Sequence, residues 1–178
     1  MSAALSPSSS LACARAPARE EPVIIRLVGP PQGKNRHRSR IASSKDGRQF
    51  IRNFSDPKTA SYEARIRAAA AEAMSGRPLL SGAVEVAIWA YRAVPTSLSR
   101  KNTALALAGQ IRPTTKPDVD NYAKVIDALN GIVWVDDALV VQSFVAKLFA
   151  EAPSLVIRVQ PWTPPLPVAA GLLPLSNG

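Results

Sequence analysis

Between Asp118 and Asp137 the chain has to meet two demands at once. It carries five carboxylates (Asp118, Asp120, Asp127, Asp136 and Asp137) and, among them, the apolar residues Tyr122, Val125, Ile126 and Leu129. The apolar set recurs at helical spacing, so the segment is tied to a core and its acids must share the solvent side. A helix from Asp120 to Leu129 places Asp120, Lys124 and Asp127 within roughly 60° of one another. Asn130-Gly131 is a C-terminal stop for it. Asp118 follows Pro117, and the residue before a proline favours extended backbone. In an extended entry Asp118 and Asp120, two apart, lie on one face. Carboxylates brought together repel unless a cation lies between them. An Asp136-Asp137 turn between strands adds one or two more.

The rest of the chain has the opposite sign. Twenty-two lysines and arginines face 13 acids, a formal charge of +9. Acids gathered in a basic chain point to a divalent cation acting on a polyanion, which is phosphodiester chemistry on nucleic acid. One histidine and one cysteine cannot build a structural zinc site. Oxygen ligands favour Mg²⁺, with Mn²⁺ as a substitute. The single Cys13 cannot form an internal disulfide. No apolar run approaches the ~18 residues that span a bilayer, which reads as a soluble protein. Singly, each acid has a plainer use: Asp120 as a helix cap, Asp127 as an ion-pair partner of Lys124, Asp136 and Asp137 as turn residues. Their coincidence in a basic chain favours the metal.

A second constellation precedes them. Lys34, Arg36, His37, Arg38 and Arg40 open a basic segment interleaved with Phe50 and Phe54. This pattern fits an arm that contacts backbone phosphates and stacks on bases. Lys116 is a further phosphate contact. Gly29-Pro30-Pro31-Gln32-Gly33-Lys34 lacks the phosphate-loop pattern.

Residues 1–22 are Ser-, Ala- and Pro-rich and read as a disordered leader, and residues 161–178 read as a Pro-rich extended tail. Between them, the expected elements are strands at 23–28, 84–91, 132–135, 139–145 and 155–159. The expected helices are 56–74, with Tyr62, Ile66, Ala69 and Ala73 inward; 98–107, capped by Thr96 or Ser97; and 120–129. Residues 32–52 read as a long loop or hairpin. The class is α+β: a single domain at 23–160 with one mixed sheet and two main helices packed on it.

The run Lys116-Pro-Asp118-Val-Asp120-Asn121-Tyr-Ala-Lys124, then Asp127-Ala-Leu-Asn130-Gly131-Ile-Val-Trp134-Val-Asp136-Asp137, resembles the RusA family of Holliday junction resolvases. The Gly29 to Arg40 loop and Pro57 to Glu63 are similar to that family's first half. The resemblance implies a small dimeric, Mg²⁺-dependent endonuclease that nicks opposing strands of four-way DNA junctions in recombination and repair. It implies Asp118 and Asp120 as metal ligands, a third from the acidic pair with Asp137 ahead of Asp136, and Lys124 as the catalytic lysine. It also implies a bacterial cytoplasm, host or phage. Two other classes stay open: a metal nuclease for flaps or other branched DNA, and a non-catalytic DNA-binding protein.

Overall fold

In the computed structural model the described residues are 21–34, 38–43, 46, 49–54 and 56–164. The leader to residue 20 and the tail from residue 165 lie outside them. Strand β1 (Val23–Val28) buries Val23, Ile25 and Leu27 and exposes the residues between, the period-2 signature of a half-buried strand. Strands β2 (Arg38–Ser43) and β3 (Gln49–Phe54) pair antiparallel as a separate two-stranded hairpin.

Helix α1 (Pro57–Met74) starts where the sequence directs it. Asp56 accepts from the Lys58 N–H at 3.0 Å, and Pro57 occupies a first-turn position where a missing N–H costs nothing. It ends at Ser75, left-handed at φ 44, and Gly76, at φ 83. Its buried line is Tyr62, Ile66, Ala70 and Met74, not the expected Tyr62, Ile66, Ala69, Ala73. The contact advances in steps of four throughout, so Ala69 and Ala73 flank the core.

Strand β4 (Val84–Ala93) is central. It pairs antiparallel with β6 (Ser154–Pro161) and parallel with β5 (Val140–Ala150), giving the order β1-β6-β4-β5. This is the mixed α+β sheet the pattern predicts. One face of the sheet, through Val84, Val86, Ile88, Leu155, Ile157 and Val159, joins α1 in the core.

Parallel strands require a crossover. Residues 94–139 supply it and carry every acid of the candidate site. Helix α2 (Arg100–Leu107) is capped by Ser99. The expected cap at Thr96 or Ser97 is displaced because Leu98 N–H turns back onto Pro95 O at 3.1 Å. The expected helix 120–129 is a short α3 (Val119–Ala123) running into a 3₁₀ helix (Lys124–Leu129), with Asp118 rather than Asp120 at the N-cap. At three residues per turn, Tyr122, Val125 and Ala128 fall in one row, and all three are buried.

Residues 132–135 are not a strand. Gly131, at φ 71, reverses the chain. Val133 and Trp134, consecutive, are both fully buried, which a pleated strand facing one core cannot do. Trp134 instead plugs the core, its Nε1 donating to Asn130 Oδ1 at 2.6 Å. A 3₁₀ turn, Asp137–Leu139, then leads into β5.

Candidate functional site

Asp118, Asp120 and Lys124 come together at the entrance of α3. Asp118 caps the helix by position, but its side chain makes no cap hydrogen bond. Lys124 Nζ donates to Asp120 Oδ2 at 3.0 Å. That hydrogen bond, with the lysine's charge behind it, holds the Asp120 carboxyl below its usual range. All three side chains face solvent.

The entry to this turn is held from the sheet. Lys147, on β5, donates to Thr115 O at 3.0 Å and Pro117 O at 3.1 Å. Arg92, at the end of β4, donates to Thr115 O at 3.0 Å and Oγ1 at 2.8 Å. Neither residue was marked by sequence motif.

The loop that roots the basic arm packs on the same turn. Lys34 N–H bonds Asn121 O at 2.8 Å. A Cβ on Gly33 would meet the Asn121 Cβ at 2.8 Å and the Pro117 Cβ at 2.9 Å, so glycine is required by close approach. The Lys34 ammonium lies between two carboxylates, Glu63 of α1 and Asp127 of the 3₁₀ helix, each at 3.0 Å. Burial alone would lower its pKa. The hydrogen bonds to Asp127 and Glu63, with their charges, reverse this and hold it above the ordinary 10.5.

Two expectations change here. Asp127 is the partner of Lys34, not of Lys124. Lys34, read as a phosphate contact, is ion-paired within the protein and joins the arm's root to α1 and the 3₁₀ helix. Glu63 is the third member; the sequence motif contained it but assigned it no role.

Asp136 and Asp137 lie elsewhere. Asp136 Oδ1 accepts from Ala138 N–H at 2.8 Å, the turn role open to it, and both residues are exposed. They precede Val140 at the start of β5, whereas the Asp118 turn is bound by Lys147. Seven residues of strand rise separate Val140 from Lys147 by about 23 Å. The helical run 119–129 spans a comparable distance back. Among the described residues no group of three or more His, Cys, Asp and Glu is placed to hold a metal. The carboxylates of Asp118 and Asp120 fit a hard divalent cation as a pair of oxygen donors, and the acidic pair does not reach them within one chain.

Of the expected DNA contacts, Lys116 is exposed beside Asp118. Arg38 and Arg40 lie on β2, paired with Phe54 and Arg52. Arg36 and His37 lie outside the described residues. No helix among the described residues is long and apolar enough to cross a membrane.

This segment, from the Gly29 loop through the Asp118 turn to β6, coincides with one known family. The family model Endodeoxyribonuclease RusA matches residues 29–160. The chain belongs to the RusA endodeoxyribonuclease family. It is also 35% identical over 137 residues to an uncharacterized protein of Bacillus subtilis (strain 168), YqaN, covering 75% of this chain and 92% of that protein. The family carries endodeoxyribonuclease activity. Strand β1 pairs along its whole length with β6, although it lies ahead of the matched region.

Proposed function

We propose that the chain is a Mg²⁺-dependent endonuclease that resolves four-way DNA junctions by paired nicks in opposing strands. The observation that carries this is the convergence of Asp118, Asp120 and Lys124 on one helical turn inside the family-matched region. Asp118 and Asp120 would hold the metal, which when bound supplies a water of lowered pKa and offsets charge on the phosphate. Lys124 restrains the Asp120 carboxylate and presents its ammonium to a phosphate oxygen, countering charge in the transition state. Clamped by Lys34, the arm around Arg36, His37, Arg38 and Arg40 holds the junction through its backbone.

A third carboxylate, Asp137 or its neighbour Asp136, completes the metal site from a second copy. The chain holds its own acidic pair at the far end of the 119–129 segment. A twofold dimer brings Asp137 of the partner subunit to Asp118 and Asp120 and makes two equal sites. Two sites suit the two opposing strands of a four-way junction.

The test uses synthetic four-way, flap and fork substrates with Mg²⁺. Asp120→Asn abolishes cleavage while junction binding persists; cleavage retained by that variant refutes the site. Preference for flaps or forks shifts the substrate class and leaves the chemistry. Cleavage that survives EDTA refutes the metal dependence, and a chain that binds without ever cutting refutes the enzyme. Mixing Asp120→Asn with Asp137→Asn reports the shared site. Mixed dimers then contain one intact site and regain nicking, whereas a site built within one chain regains none.

A further inference from the structure

We propose that the open edge of β5 is the surface on which two copies of this chain meet, pairing antiparallel about a twofold axis at Ser143. The proposal rests on the shared-site reading above and names the contact that would build that site.

Strand β5 closes one side of the sheet. It pairs with β4, and among the described residues no strand pairs with its other edge. A long open edge is a row of unpaired backbone groups, which monomers blunt with charges, prolines or bulges. The 11 residues of β5 include no proline and one charge, Lys147, and that ammonium is turned onto Thr115 O and Pro117 O. The bulge it does have, at Val141 against β4, leaves an apolar side chain more than half exposed. Val141 to Phe144 are all exposed, whereas the strand is half-buried from Val145 onward. Phe144 leans on Trp89, with ring centroids 6.2 Å apart, yet stays more than half exposed. The accessible stretch is therefore apolar, short and centred within one residue of Ser143.

The incomplete metal site calls for the same register independently. Lys147 holds Pro117 O, one residue before Asp118, so the partner's Asp137 has to come level with Lys147. Forward from Ser143, four strand steps reach Lys147, about 13 Å away. Backward from Ser143, the bulge spends two residues on one step, and the 3₁₀ turn from Asp137 rises only about 2 Å per residue. Asp137 therefore also lies about 13 Å away. A twofold at Ser143 superposes these two levels one strand spacing apart. The opposite edge, β1, lies three strand spacings from β5, about 14 Å, and pairing there leaves the acidic turns apart.

The experiment is disulfide trapping in the full chain with Cys13, its single cysteine, replaced by serine. Opposed residues in an antiparallel pair have Cα atoms about 4.5–5.5 Å apart, inside disulfide range. Ser143→Cys cross-links with its own copy. Gln142→Cys and Phe144→Cys cross-link when mixed but not singly, because like positions then lie about 7–8 Å apart. Sedimentation of the unmodified chain gives the oligomeric state, and the mixed Asp120→Asn and Asp137→Asn nicking assay is run in parallel. A dimeric chain in which neither Ser143→Cys nor the mixture cross-links overturns the proposal. So does Gln142→Cys that links alone as readily as in the mixture, since the register is then different. Nicking regained without either cross-link overturns this interface and leaves the shared site. Cross-links formed in chains whose mixtures never regain nicking support the interface and overturn the shared site. A monomeric chain overturns both.

Discussion

Replacing Lys34 by methionine keeps the aliphatic stem and removes the charge that joins three elements. Two hydrogen-bonded ion pairs are lost, each at 3.0 Å, and Glu63 and Asp127 are left facing one another without a cation. A hydrogen bond to a charged group contributes about 1.5–3 kcal/mol when well buried, and an exposed pair about 0.2–1 kcal/mol. Lys34 is 18% exposed, Glu63 27% and Asp127 45%. The Glu63 pair therefore falls nearer the first range and the Asp127 pair nearer the second. Recovered solvation of the lysine offsets part of the sum, so the expected loss is about 2 kcal/mol. In a domain of this size that lowers the melting temperature by about 4–8 °C. The pH dependence follows from the raised folded pKa. The contribution is fully present below the ordinary value of 10.5 and is lost as pH rises through the folded value. The urea-unfolding midpoints of wild type and Lys34→Met should differ at pH 8 and converge above the folded pKa. A Lys34→Met, Glu63→Gln cycle should show coupling of about 1 kcal/mol. A melting temperature within about 1 °C of wild type at pH 8, or a gap that persists undiminished in alkali, refutes the clamp.

Four further outcomes are expected. Lys147→Met releases Thr115 and Pro117 and should reduce junction cleavage at least tenfold with little change in junction affinity; a proportionate loss of affinity would assign Lys147 to DNA contact instead. Gly33→Ala forces the loop off Asn121 and Pro117 and should cost about 1–3 kcal/mol by overpacking, read from the urea midpoint; a neutral effect would mean the loop yields freely. Lys124→Met removes the main cause of the lowered Asp120 pKa, so the carboxyl should titrate nearer its ordinary 3.8 in a carboxyl-carbon NMR titration; an unmoved midpoint would exclude the pair. Loss of both Arg36 and Arg38 should weaken junction binding and flatten its salt dependence, and an unchanged slope would count against the arm.

The legible parts of the sequence were those where local chemistry and packing agree. Asp56-Pro57 fixes the start of α1, since cap and first-turn proline act within four residues. A β-branched apolar run marks β1 and alternation marks β4, and one face of each is buried. Helical spacing put Asp120 and Lys124 on one face, one turn apart, although the ion-pair partner expected for Lys124 was Asp127 and the structure gives it Asp120. Where a long-range contact outweighs a local pattern, the sequence misleads. Ile132 to Val135 has strand composition, but Trp134 turns inward onto Asn130 and fills the core. The 124–129 run has helix spacing, but it tightens to 3₁₀, where Val125 and Ala128 are both buried.

The sequence alone determined that five acids and an apolar stripe share one segment of a basic chain. That much is local, set by residue type and by spacings of two, three and four. Only the tertiary structure decided which charges meet. Lys34 lies 93 residues from Asp127 along the chain and 3.0 Å from it in space, and no periodicity encodes that approach. Asp137 follows Asp118 by only 19 positions, yet the crossover from β4 to β5 carries it to the far end of the sheet. Closeness in sequence fixes distance only within one element; between elements, the topology of the sheet sets it.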